Sequence, residues 1–237
     1  TAPPVTQPAT TALPTTAPAT TAPGDPLAAL AVAALLTIDD FATGWAEQSP
    51  DDTTDDDDEA SEIVAACADV DVLLVDDEVL GTSRVEASFT TDDGTFEVEQ
   101  SAGFAADEAT ATAAAAAVAD PDVPGCYGEA VAQFFEEAQA STDPADTLPP
   151  GMEIGEVTES VGDLTAFALQ ADDASWFHVS YPLSLDGQTF EQHADFVFLR
   201  NREALSRVMP TGSGATFPPD DLHGLGELAD ARLATIA

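Results

Sequence analysis

The chain has 237 residues and carries 45 acidic side chains against 5 arginines and no lysine, a formal charge of −40 at neutral pH. A surface of that sign repels nucleic acid and anionic lipid headgroups, which removes both from the expected partners. Carboxylates crowded within a Debye length of roughly 8 Å also repel one another, so salt should stabilise the fold. Adaptation of a whole organism to saline surroundings accounts for such acidity, as does an acidic surface that recruits cations or a basic partner. The hydrophobic fraction is 44%, much of it alanine. The larger core side chains are concentrated in the carboxy-terminal half.

Residues 1–26 repeat Thr, Ala and Pro, as in TTALPTTAPATTAP, with no aliphatic period that could build a core. They read as a disordered tether that would reach roughly 80 Å if fully extended in polyproline II. The chain starts at Thr1 rather than Met, which fits a processed, exported form. Its longest apolar run, residues 27–36, falls short of the roughly 20 residues that span a bilayer. That run instead predicts a helix with Leu27, Leu30, Ala34 and Leu35 on one face, stopped by Gly44.

An acidic loop follows at 49–58. It lacks the alternating ligands and central glycine of a calcium loop, and the chain offers no other metal or cofactor motif. A short helical stretch then carries Cys67. Alternating residues over 84–91 and 95–103, joined at Asp93-Gly94, predict a β-hairpin. The Ala-rich stretch 105–119 predicts a helix, ended by Asp120, Pro121 and Pro124, and 126–140 a second one with Val131, Phe134 and Phe135 on its apolar face.

Strands are expected near 152–159, 164–171, 175–185, 188–199 and 204–209, and a closing helix over 219–236. A two-residue turn at Asp186-Gly187 sets the register of the best-defined pair. It places Phe177 opposite Phe196, Val179 opposite Ala194 and Leu183 opposite Phe190. Pro182 then sits where its missing N–H would point to the other neighbour, so pairing on that side should break there. The fold class is α+β: one domain over 27–237, with an antiparallel meander packed against helices on one face. Phe177, Val179, Leu183, Phe190, Phe196 and Phe198 should face the helices that carry Phe134, Phe135 and Leu228.

Cys67 and Cys126 have neither CxxC spacing nor a nearby His. A structural disulfide is the simplest reading, worth about 4 kcal/mol in the chain-entropy model, and it implies an oxidising compartment. The hairpin register also sets Ser180 opposite His193 and His178 opposite Asp195. These types suit nucleophilic catalysis, yet Ser180 lies mid-strand without a nucleophile elbow or Gly-rich turn, which reads as the polar face of a sheet. Arg200, Arg202 and Arg207 lie close in sequence on the last hairpin, with Arg84 and Arg232 apart. They could pair internally with acids or receive an anionic ligand. The TGSGAT segment at 211–216 reads as a turn, because a phosphate loop needs a lysine that this chain lacks. His223 reads as a surface residue at the start of the last helix.

The order of parts, with LLTIDDFATGW after the tether and AAAAAVADPDVPGC before the meander, resembles actinobacterial exported lipoproteins similar to the PknH-like extracellular sensor domain of mycobacterial receptor kinases. That resemblance implies a lipid anchor upstream of Thr1, an antiparallel sheet backed by helices, and a cleft for a ligand. It differs from those domains in having only two cysteines and in its acidity. The expected function is a non-catalytic, extracytoplasmic binding or sensor-like module with a small-molecule or cell-envelope partner. A cell-envelope hydrolase and a structural surface protein are the alternatives.

Overall fold

Long runs of β-branched and aromatic residues in alternation, punctuated by Asp-Gly steps, build the centre of the molecule as a sheet. The computed structural model describes residues 26–48, 77–80, 83–140, 148–149, 151–185 and 187–237. The expected tether, except Pro26, the acidic loop and the helical stretch around Cys67 therefore lie outside the described residues.

The elements in chain order are α1 (Pro26–Val32), a 3-10 turn (Ile38–Asp40), β1 (Trp45–Gln48), the short α2 (Asp77–Leu80), β2 (Val85–Thr91) and β3 (Phe96–Phe104). Then come α3 (Glu108–Val118), α4 (Val123–Ala140), β4 (Glu153–Ile154), β5 (Thr158–Val161) and a second 3-10 turn (Leu164–Ala166). The chain closes with β6 (Asp173–Leu185), β7 (Gln188–Asn201), β8 (Ala204–Ser213) and α5 (Pro219–Ile236). Eight strands form one antiparallel sheet in the order β1-β2-β3-β8-β7-β6-β4, with β5 also on the outer side of β6. The class is α+β, as the residue pattern predicts.

Turn chemistry sets the registers. Gly94 and Gly187 adopt φ values of 67° and 77°, which closes the two Asp-Gly hairpins without steric cost. The β6–β7 register runs Leu185 to Gln188, Leu183 to Phe190, Val179 to Ala194 and Phe177 to Phe196, as the turn dictates. Along the other side of β6, β4 pairs with residues 183–184 and β5 with residues 177–180, so the ladder breaks at Tyr181-Pro182. Gly155 crosses this gap, donating its N–H to the Pro182 carbonyl at 2.8 Å. A Cβ there would lie 2.4 Å from the Pro182 ring.

Helices cover both faces of the sheet, which corrects the expectation of a single helical layer. On the first face, α3 and α4 cover Phe177, Val179, Phe196, Phe198 and Leu205, and Phe135 with its neighbour Phe134 continues this layer over Leu183 and Phe190. On the second, Leu222, Leu225, Ala229 and Leu233 of α5 pack with Ala34, Leu35 and Leu36 over Phe89, Val98, Val197 and Val208. Leu228 belongs to this second layer rather than to the first. Successive residues of β7 point to opposite faces. Because Phe196 and Val197 are both buried, β7 is sandwiched, and Phe196 to Leu199 form one continuous apolar run between buried Asp195 and Arg200.

Three further departures have local causes. Residues 164–171 form a 3-10 turn and an irregular run instead of a strand. Their backbone is captured by α5, where Glu227 accepts the Ala168 N–H at 2.9 Å and Asp230 the Gln170 N–H at 2.6 Å. Helix α1 ends at Val32 because the segment after it is claimed by buried Gln100 on β3. The Gln100 side chain accepts the Leu36 N–H at 2.6 Å and donates to the Ala34 carbonyl at 3.1 Å and to Ser206 Oγ at 3.0 Å. Strand β8 extends through Ser213, so the first half of TGSGAT is paired chain and only Gly214, at φ 77°, makes the turn.

Candidate functional site

The Ala-rich helix α3 shapes the most promising cavity. It begins at Asp107, whose carboxylate accepts the Thr110 N–H at 2.8 Å and caps the first turn. Hydrogen bonds from Thr110 to Asp107 hold that carboxyl below its ordinary value. From there α3 presents mostly methyl groups to the sheet. Ala111 and Ala114 reach the core, but Ala115 and Ala119 are too short to close the gap to the strands where β7 ends and β8 begins.

The result is a cavity of about 140 Å³ walled by Ala115, Val118, Ser175, Phe198, Leu205 and Arg200, among other residues. That volume is of the order that takes a benzene-sized guest, in a partly open slot whose mostly apolar lining also includes Thr112, Asp173 and Ser206. The slot is not legible in the sequence. Its only trace there is the run of five alanines at 113–117, which leaves no large side chain to fill the space.

Arg200, read from sequence as open to internal pairing or to an anionic ligand, lines this slot and is committed to internal partners. Its Nε donates to Asp173 Oδ2 at 2.6 Å, its Nη1 to the Arg202 carbonyl at 3.0 Å, and Asp172 stands at 3.8 Å. Arg202 occupies the β7–β8 turn at φ 53°, and its N–H donates to Asp172 Oδ2 at 2.9 Å. Arg207 lies buried on β8, with its Nη2 3.9 Å from Glu99 and its Nε without a hydrogen-bond partner. Burial pulls its guanidinium below the ordinary value, with Glu99 opposing that pull. Arg200 pairs across the ladder with Leu205 and Arg207 with Phe198, and the two guanidinium groups turn to different carboxylates, Asp173 and Glu99. Arg84 pairs with Glu86, and Arg232 with Asp40 at 2.6 Å. Internal pairing is thus the dominant use of the cations.

The Ser, His and Asp residues do share one face, and the register places them as expected. This face is the one that α5 covers, and the group lies at the margin of that cover. Asp195 is only 3% exposed. Its Oδ1 accepts the Trp176 indole N–H at 2.9 Å and contacts His178 Nδ1 at 3.1 Å. The His193 ring stacks on His178 with centroids 5.5 Å apart. Burial, then the His178 ring, holds His193 below its ordinary value, against Glu191 and Asp195.

Ser180 does not complete a triad, since its hydroxyl pairs with Thr158 Oγ1 at 2.9 Å. His223 lies close by, packed edge-on to Phe167 at 4.6 Å and 6.1 Å from the Trp176 ring, so it is part of a packed aromatic cluster. Trp176, Thr158 and His223 were not linked to this group by sequence, because they reach it from separate elements.

Cys126 sits on α4 beside a groove formed with β5, whereas Cys67 lies outside the described residues. Among the described residues, no three His, Cys, Asp or Glu side chains are placed to hold a metal ion. No helix among them is long and apolar enough to cross a membrane. No protein-family model matches the chain, and no curated protein matches its sequence.

Proposed function

We propose that this chain is a non-catalytic binding module of the cell envelope, sensor-like and tethered outside the membrane by its Thr/Pro/Ala head and a lipid anchor upstream of Thr1. The Cys67–Cys126 bond belongs to the same reading, since an oxidising compartment would preserve it. The observation that carries the proposal is the apolar slot between α3 and the β6–β8 strand ends. Its size suits a small apolar molecule or the apolar end of a larger one. Arg200 borders the slot with its charge already met by Asp173, so the ligand's buried part is uncharged.

Among the described residues the Ser180 hydroxyl pairs with Thr158, whereas His178 pairs with Asp195, which favours binding over hydrolysis at that group. A purely structural surface protein gives no reason for an unfilled slot. Two measurements test the proposal. Native mass spectrometry of protein from its own host should show a small molecule that co-purifies. Toluene should raise the melting temperature by mass action, and Ala115→Leu, which fills the slot, should remove both effects without loss of fold. An apo mass together with a melting temperature indifferent to toluene would sink the proposal.

A further inference from the structure

We propose that the outer edge of β5 is a docking site for a basic, extended peptide segment, which adds as a further strand in the groove between β5 and the start of α4. The β5–β6 register pairs Thr158 with Ser180 and Ser160 with His178, and Gly162 donates to the Trp176 carbonyl at 2.9 Å. Residues 158, 160 and 162 therefore point their backbone groups at β6. By the alternation of an antiparallel ladder, Glu159 and Val161 point their N–H and C=O groups outward. Among the described residues, no strand pairs with that outer side. All four residues of β5 are exposed, and Val161, a large apolar side chain, is 68% exposed.

Sheet edges are usually blunted by lysine, proline or a bulge. β5 has none of these and is guarded only by its four-residue length and by Glu159, a charge that an opposite one would satisfy, and its register with β6 is unbroken. Beside it runs a groove of about 510 Å³ lined by Pro121, Asp122, Gly125, Glu129, Glu159 and Val161, among others. Gly125 and Gly128 keep the helical wall low. A Cβ at Gly128 would come within 3.2 Å of Val157 and 3.4 Å of the Glu159 carboxylate.

Charge selects the occupant. The groove carries Asp122, Glu129 and Glu159 and no arginine. A second copy of this chain pairing edge to edge would bring Glu159 towards its own counterpart in a molecule of charge −40. A basic strand meets the opposite sign, and backbone pairing supplies affinity while alternate side chains supply selectivity. On the helix-facing side, a basic residue would match Glu159 and an apolar one Val161.

The test uses the full chain and a fluorescein-labelled, end-capped peptide of sequence Lys-Thr-Val-Thr-Lys, followed by anisotropy at low and molar NaCl. Binding should weaken with salt and vanish when Glu replaces both Lys. Of two peptides N-methylated at neighbouring residues, one should lose binding and the other keep it, because only one methyl group points at β5. Val161→Pro removes an outward donor without touching the β6 ladder and should weaken binding about tenfold with the melting temperature retained. The double variant Glu129→Gln and Glu159→Gln, which leaves the backbone intact, should weaken binding and flatten its salt dependence. Absence of binding at low salt, equal binding of both methylated peptides, or an unchanged affinity in Val161→Pro would each overturn the proposal.

Discussion

The two faces of the sheet are filled by different chemistry. Under α5 the fill comes from the helix itself, because Leu222, Leu225, Ala229 and Leu233 repeat at helical spacing over Phe89, Val98 and Val208. That face also contains a fully bonded polar hub at Gln100. On the other face the strands supply Phe177 and Phe196, stacked 4.5 Å apart, and α4 supplies Tyr127 and Phe135, whereas α3 contributes little more than methyl groups. A helix of alanines approaches closely but cannot follow a diverging surface, so space remains at its end. One sheet thus carries a side whose helix fills it with leucines and a side where a helix of alanines leaves a gap.

The largest expected effect tests the aromatic side of this comparison. Phe196 is 1% exposed and touches Phe177 and Tyr127, at centroid distances of 4.5 and 4.8 Å. Phe196→Ala should cost about 3–5 kcal/mol in urea unfolding. A loss below about 1 kcal/mol would mean that this face does not act as a core. The opposite face is tested through Gln100→Ala, which strands the Leu36 N–H and the Ala34 carbonyl, while the Ser206 hydroxyl keeps its bond to the Ser101 carbonyl. The expected cost is about 1–3 kcal/mol. Hydrogen exchange should quicken first at residues 34–36, and uniform quickening would show that Gln100 does not anchor that segment in particular.

The smallest effect concerns the margin of the second face, at His193. Burial and the neighbouring His178 hold its folded pKa below the ordinary value. The unfolded chain therefore binds more protons as pH falls past the ordinary histidine pKa of about 6.5, and stability drops from there towards the folded pKa. His193→Asn removes this component. Between about pH 7.5 and about pH 5.5 the melting temperature of the parent should fall relative to that of the variant. Parallel curves for the two proteins would show that His193 does not titrate differently on folding.

Much of the fold was legible because its signals are local. Asp93-Gly94 and Asp186-Gly187 demand tight turns, and period-two alternation then sets which residues face which. Pro182 announced a break in the outer ladder, and the structure supplies the detail that Gly155 bridges it. The terminal helix was legible from its leucine spacing and from the prolines before it. The strand expected over 164–171 failed because its N–H groups bond to carboxylates of α5, a competition that only contact in space can create. The candidate slot was barely legible. A run of alanines raises helix propensity whether the space beside it is filled or empty.

By itself the sequence determined the α+β class, the two Asp-Gly hairpins, the β6–β7 register and the grouping of Ser180, His178, His193 and Asp195 on one face, since each follows from backbone geometry within a few residues of a turn. Only the tertiary structure decided that α5 crosses to the face opposite α3 and α4, that Arg200 is spent on Asp173, that Ser180 turns to Thr158, and that the end of α3 leaves a cavity. Alternation assigns side chains to a face without saying which helix will cover it, and that choice depends on packing among segments far apart in the chain.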